Sequence, residues 1–78
     1  MCVYVKRIEK EGMHGDRAIL KTVYYDYEIY VNSILVDTIS GYDNWHVMVK
    51  PIKATEQQAL KFARRLKDAT NGRVWRNF

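Results

Sequence analysis

Between Tyr25 and Ile39 the apolar side chains change parity once. In Tyr25-Asp26-Tyr27-Glu28-Ile29-Tyr30-Val31 they fall on odd positions, and in Ile34-Leu35-Val36-Asp37-Thr38-Ile39 largely on even ones. Two antiparallel strands joined by a two-residue turn at Asn32–Ser33 absorb that change. The turn predicts Val31 opposite Ile34, Ile29 opposite Val36 and Tyr27 opposite Thr38 on a core-facing side. Tyr30 with Leu35, Glu28 with Asp37 and Asp26 with Ile39 then share the outer side. Upstream, residues 2–9 are rich in Val, Tyr and Ile and read as a strand. Residues 10–16 hold Gly12 and Gly15 in a polar setting and read as a loop. Residues 17–31 are extended; one straight strand of that length would span about 50 Å. A bend or bulge is therefore expected near Tyr24, Tyr25 and Asp26, where adjacent aromatics break the alternation.

Residues 45–50 (Trp-His-Val-Met-Val-Lys) alternate and read as a fourth strand stopped by Pro51. A short helix capped by Asp43 is the alternative. From there the period changes. Ala59, Phe62, Ala63, Leu66 and Ala69 form an apolar stripe at helical spacing. Thr55 with Gln58 makes a capping box and Asn71-Gly72 a stop, so the helix is expected over about 56–70. The tail 73–78 can supply a short return strand. The fold class is α+β: a mainly antiparallel sheet of three or four strands, one amphipathic helix on one face, and a C-terminal strand as an option. The expected core is Val3, Val5, Ile29, Val31, Ile34, Val36, Val47, Val49, Phe62, Ala63 and Leu66.

Seventy-eight residues, 47% of them hydrophobic, suit a single globular domain over 1–78 and are too apolar for a disordered chain. A chain this size buries roughly 60–65% of the surface its unfolded form exposes, leaving a modest core. Cys2 is the one cysteine. It offers no internal disulfide and fits a reducing compartment, so a cytoplasmic location without membrane attachment is expected. Charge changes the picture more than composition does. Residues 1–40 carry five basic and six acidic groups, whereas residues 41–78 carry eight and three. The formal +4 is therefore a local field, which favours an acidic partner and speeds its encounter.

Little in the chain points to catalysis. His14, His46 and Cys2 lie in separate elements, and no metal-binding or phosphate-loop spacing is present. Glu28 facing Asp37 could hold a cation, but a neighbouring Lys is the simpler compensator. No cofactor, no metal and no enzymatic activity are expected. The expected contact surface is basic: Lys53, Lys61, Arg64 and Arg65 on the helix, with Lys50 beside them and Arg73, Trp75 and Arg76 folding back from the tail. Arg64 and Asp68 are expected to pair at i,i+4, trimming that field. The first functional reading is a non-enzymatic protein-interaction module, of inhibitor or adaptor type, docking on an acidic protein surface or nucleoprotein complex. The alternative is a nucleic-acid-binding protein using the same basic face, with Trp75 or an exposed Tyr stacking on a base. Tyr4, Tyr25, Tyr27 and Tyr30 form a candidate stacking set, of which Tyr25 and Tyr27 are spent if they face the helix. The outer sheet face around Tyr30 and Leu35 is the second candidate surface, and a free sheet edge leaves a homodimer open.

Overall fold

The computed structural model describes residues 2–14, 20–70 and 72–78. Its spine is a long hairpin of β1 (Cys2–His14) and β2 (Leu20–Val31), paired antiparallel in continuous register from Val3 opposite Val31 to His14 opposite Leu20. β1 does not stop at residue 9, and the expected loop over 10–16 is strand as far as His14. Gly12 serves packing here. A Cβ on it would lie 2.8 Å from both the Tyr24 and the Tyr42 ring, which stack with centroids 5.1 Å apart. A thirteen-residue strand, at about 3.3 Å per residue, sets the 47 Å length of the molecule.

β3 (Ile34–Ser40) follows the turn at Asn32 and Ser33, whose φ angles of 50° and 68° are the left-handed pair that such a turn requires. Val31 opposite Ile34 and Tyr30 opposite Leu35 match the expected register. One residue later the ladder shifts. Ile29 lies opposite Asp37, Glu28 opposite Thr38 and Tyr27 opposite Ile39, leaving Val36 as the extra residue of a bulge. The irregularity thus falls at Ile29 and Tyr30, not near Tyr24–Asp26. It moves Ile39 toward the core and leaves Ile34, Leu35 and Val36 exposed, Ile34 at 68%. Ile34 and Val36 are not core residues, and Glu28 and Asp37 do not face each other.

At Gly41 the chain turns across the sheet. The Gly41 N–H donates to the Tyr25 carbonyl at 2.9 Å, and a Cβ at Gly41 would sit 2.5 Å from that same oxygen. β4 (Tyr42–Asp43) and β5 (Met48–Val49) form a separate two-stranded sheet, so the expected strand over 45–50 shrinks to its last residues. Asp43 is the cause. Its carboxylate accepts the N–H groups of Trp45 at 3.0 Å and His46 at 3.3 Å, and folds residues 44–47 into a turn. Val47 closes that turn at φ 50°, a strained setting for a β-branched residue.

The helix α1 (Ile52–Thr70) starts a full turn before the expected cap. Thr55 lies inside it: both its N–H and its hydroxyl donate to the Pro51 carbonyl at 3.1 Å, so the capping box does not form. Thr55, Ala59 and Ala63 make the buried stripe, and the two alanines bring the helix down onto Val3, Val5, Tyr27 and Ile29. Phe62, Leu66 and Val31 pack around this centre half-buried, while Val47 and Val49 are half-buried elsewhere. The Gly72 N–H closes the helix on the Lys67 carbonyl at 3.1 Å; Asn71 lies outside the described residues. β6 (Arg73–Arg76) then returns parallel to β1, completing a mixed four-stranded sheet in the order β3-β2-β1-β6. The Asn77 side chain extends the pairing, accepting from the Arg7 N–H at 2.7 Å and donating to the Arg7 carbonyl at 3.2 Å. Phe78 sets its ring edge-on to Tyr27, with the Arg7 guanidinium 4.8 Å from its centroid.

Two polar groups inside this structure behave differently. Asp26 is buried; burial is the largest influence on its carboxyl and opposes ionisation. Hydrogen bonds from Lys10 (2.8 Å) and the Ser40 hydroxyl (2.7 Å) outweigh it and hold the pKa below the ordinary carboxylate value. The Tyr27 hydroxyl is buried and, among the described residues, meets no hydrogen-bond partner in good geometry, the Arg7 guanidinium being the group that approaches it. Burial, reinforced by the Glu56 carboxylate, raises its pKa against the opposing influence of nearby Arg7.

Because the Asp26 pKa is lower folded than unfolded, its stabilisation is present above the ordinary carboxylate pKa of about 4 and is lost as pH falls through the folded value. Denaturant titrations from neutral to acid pH should therefore show the native protein losing stability in that window more steeply than Asp26→Asn. Equal slopes would contradict the assignment. Gly41→Ala should cost roughly 1–3 kcal/mol through the forced displacement of the Tyr25 carbonyl. Tyr27→Phe should leave stability unchanged or raise it by about 1 kcal/mol, since it removes a buried hydroxyl that no described residue satisfies in good geometry. Chemical denaturation measures both.

Candidate interaction surfaces

The helix turns two faces outward from its buried stripe. Lys53, Lys61, Arg64 and Arg65 are all exposed. Lys53, Lys61 and Arg64 border a shallow depression of about 610 Å³ together with Glu56, Gln57 and Leu60. On one flank Arg64 meets Arg76 across a groove floored by Leu60 and Val74. On the other, Lys61 and Arg65 border a groove of about 320 Å³ with Gln58, Phe62, Ile39 and Asp37. Lys61 and Arg64 each border two of these three depressions. Among the described residues Asp68 pairs not with Arg64 but with Lys67, at 3.8 Å. Lys53, Lys61, Arg64 and Arg65 make no ion pair among the described residues, so their field is not trimmed as the i,i+4 spacing suggested.

The tail divides the rest of the expected set. Val74 packs on the core, so strand alternation puts Arg76 on the helix side and Arg73 and Trp75 on the opposite side of the sheet. Arg76 joins the helix cations, its guanidinium 5.3 Å from the Phe78 ring. Trp75 is 53% exposed and belongs to a different surface. Lys50 is separate as well, reaching the Ser40 carbonyl at 3.4 Å.

That second surface is aromatic. Register places Trp75, Tyr4, Tyr30 and Leu35 side by side across β6, β1, β2 and β3. Tyr4 and Tyr30 meet at 6.3 Å between centroids, tilted by 51°. A depression of about 460 Å³ opens there, lined by Cys2, Tyr4, Lys6, Tyr30, Asn32, Ser33 and Trp75. Tyr25 and Tyr27 face the helix, as the alternation required, and are spent in packing. Of the expected contact residues only Trp75 belongs to this depression. Tyr4 and Tyr30 were legible as a stacking set, but Lys6 carried no signal of its own. Trp45, 87% exposed at the tip of the turn after β4, was hidden by the expectation of a strand there.

Chemistry-bearing groups stay scattered. His46 sits in a turn, not a strand, with Nδ1 2.6 Å from the Asp43 carboxylate, whose pKa this contact lowers. No group of three His, Cys, Asp or Glu residues that could hold a metal ion occurs among the described residues. The side chain of His14 lies outside them. No described helix is long and apolar enough to cross a membrane. Against known proteins, the chain matches no family model, no curated protein and no solved structure.

Proposed function

We propose that the protein is a small non-enzymatic interaction module, of inhibitor or adaptor type, that docks on an acidic protein surface through the outward face of α1. The observation that carries this reading is the cluster of Lys53, Lys61, Arg64 and Arg65, exposed and without ion pairs among the described residues, and joined by Arg76. A helix serving only as a cover for the sheet has no need to leave four cations unpaired on one side. The shallow depressions between them suit a protein surface better than an enclosed small molecule. Arg64, bordering two depressions beside Leu60, is the anchor, since a guanidinium over an apolar floor can hold a carboxylate bidentately. Nucleic-acid binding through this same face loses support, because its stacking partner, Trp75, lies on the far side of the sheet. The exposed free Cys2 suits a reducing cytoplasm.

Affinity capture with wild-type protein and with a Lys61→Glu/Arg64→Glu variant tests the reading. Both positions are solvent-facing, so stability should change by less than about 0.5 kcal/mol per site. Capture of the partner should fall at least about tenfold, as expected when two contact charges are reversed. Arg65→Glu should act in the same direction but less cleanly, since it places a carboxylate beside Asp37. A folded double variant that captures the same protein equally well would show that this face is solvated surface only.

A further inference from the structure

We propose that the opposite face of the sheet binds single-stranded nucleic acid, with bases stacking on Trp75, Tyr4 and Tyr30 and phosphates held by Lys6 and Arg73. The proposal does not depend on the helix-face reading. Three aromatic side chains on three adjacent strands share one level of the sheet, and every base offers a π-face to such a platform. Lys6 is the one charged residue lining the depression between them. Arg73 adds a second cation on the same face, opposite Cys2 and two residues before Trp75. Asn32 and Ser33 bring polar groups to the rim; the Asn32 side-chain oxygen Oδ1 accepts the Cys2 N–H at 3.2 Å, which leaves the side-chain Nδ2 to donate.

Among the described residues, most acids that would repel a phosphate backbone are placed elsewhere. Asp26 is neutralised by Lys10 at 2.8 Å beside Ser40. The bulge at Val36 turns Asp37 toward Phe62 and Arg65 on the helix side. Glu9 and Glu11 share the parity of Val3 and Val5, which face the helix. Among the described residues Glu28 alone remains next to the platform, opposite Lys6 and accepting the Tyr30 hydroxyl at 3.0 Å. A strand of nucleic acid therefore meets Glu28 only where Lys6 stands opposite it and offsets its charge, and is unopposed at the Arg73–Cys2–Asn32 end of the face. A protein anchor would bring one apolar or cationic side chain to one socket. A row of rings flanked by two cations instead matches a ligand that repeats flat rings along an anionic chain.

The test uses the full chain with Trp45→Phe, so that Trp75 is the sole tryptophan, titrated with oligo-dT and oligo-dA at low and raised salt. Saturable quenching of Trp75 fluorescence is expected, weakening roughly 25-fold for a tenfold rise in salt if two phosphates are engaged. Tyr4→Ala and Lys6→Glu should each weaken binding about tenfold or more. Glu28→Gln, which keeps an acceptor for Tyr30, should tighten it several-fold by the loss of one repelling charge. Lys61→Glu/Arg64→Glu should leave it nearly unchanged. Circular dichroism confirms that each variant folds. Absence of quenching at low salt would overturn the proposal. So would binding that depends on Lys61 and Arg64 but not on Lys6, or a face that captures a protein through Trp75 and no oligonucleotide.

Discussion

The contact that the remaining structure depends on is the seating of Ala59 and Ala63 against Val3, Val5, Tyr27 and Ile29. Both alanines are fully buried, and their small size lets the helix backbone approach the hairpin closely enough to exclude water from four large side chains. In a chain of this size that apolar contact is the main reserve of stability. It also sets parity for the whole sheet. Once Val3 and Val5 point to the helix, Tyr4 and Lys6 must point away, and the same choice passes through the ladder to Tyr30, Trp75 and Leu35. The inner face is apolar because the helix covers it, and the outer face is aromatic because no element covers that end of it.

The hairpin is longer than the helix can cover, and the chain solves the excess by crossing at Gly41. Just beyond Gly41, Tyr42 lies over the outer face at Gly12 and Tyr24. The Tyr24–Tyr42 stack fills the space that Gly12 leaves empty, and the Asp26–Lys10–Ser40 contact satisfies the buried carboxylate. The two faces are thus each covered at different ends. What remains open is a basic helix surface on one side and an aromatic sheet surface on the other, separated by the thickness of the domain.

Acids and bases are sorted by the same geometry. With Asp37 turned to the helix side by the bulge and Asp26 neutralised, the aromatic face retains Glu28 as its one nearby acid among the described residues, across from Lys6. The net charge of the chain describes neither face well. Where the charges lie follows from strand parity and from one extra residue at Val36.

The helix, the turn at Asn32–Ser33 and the α+β class were legible in the sequence because their causes are local. An apolar stripe at 3.6 spacing, a pair of residues tolerant of positive φ, and a run of alternating Val, Ile and Tyr act over a few residues each. The burial of Tyr27 and the outward setting of half-buried Tyr30 followed from that alternation as well. Tertiary structure alone decided the bulge at Val36, the strand running through Gly12, the turn at residues 44–47 and the side of the sheet that Trp75 occupies. In each case a residue's face depends on a count of one along a period of two, and a partner distant in the chain fixes that count. Gly12 is a strand residue because Tyr42 closes over it. Trp75 faces away from the helix because Val74, beside Val3 in the ladder, completes the core.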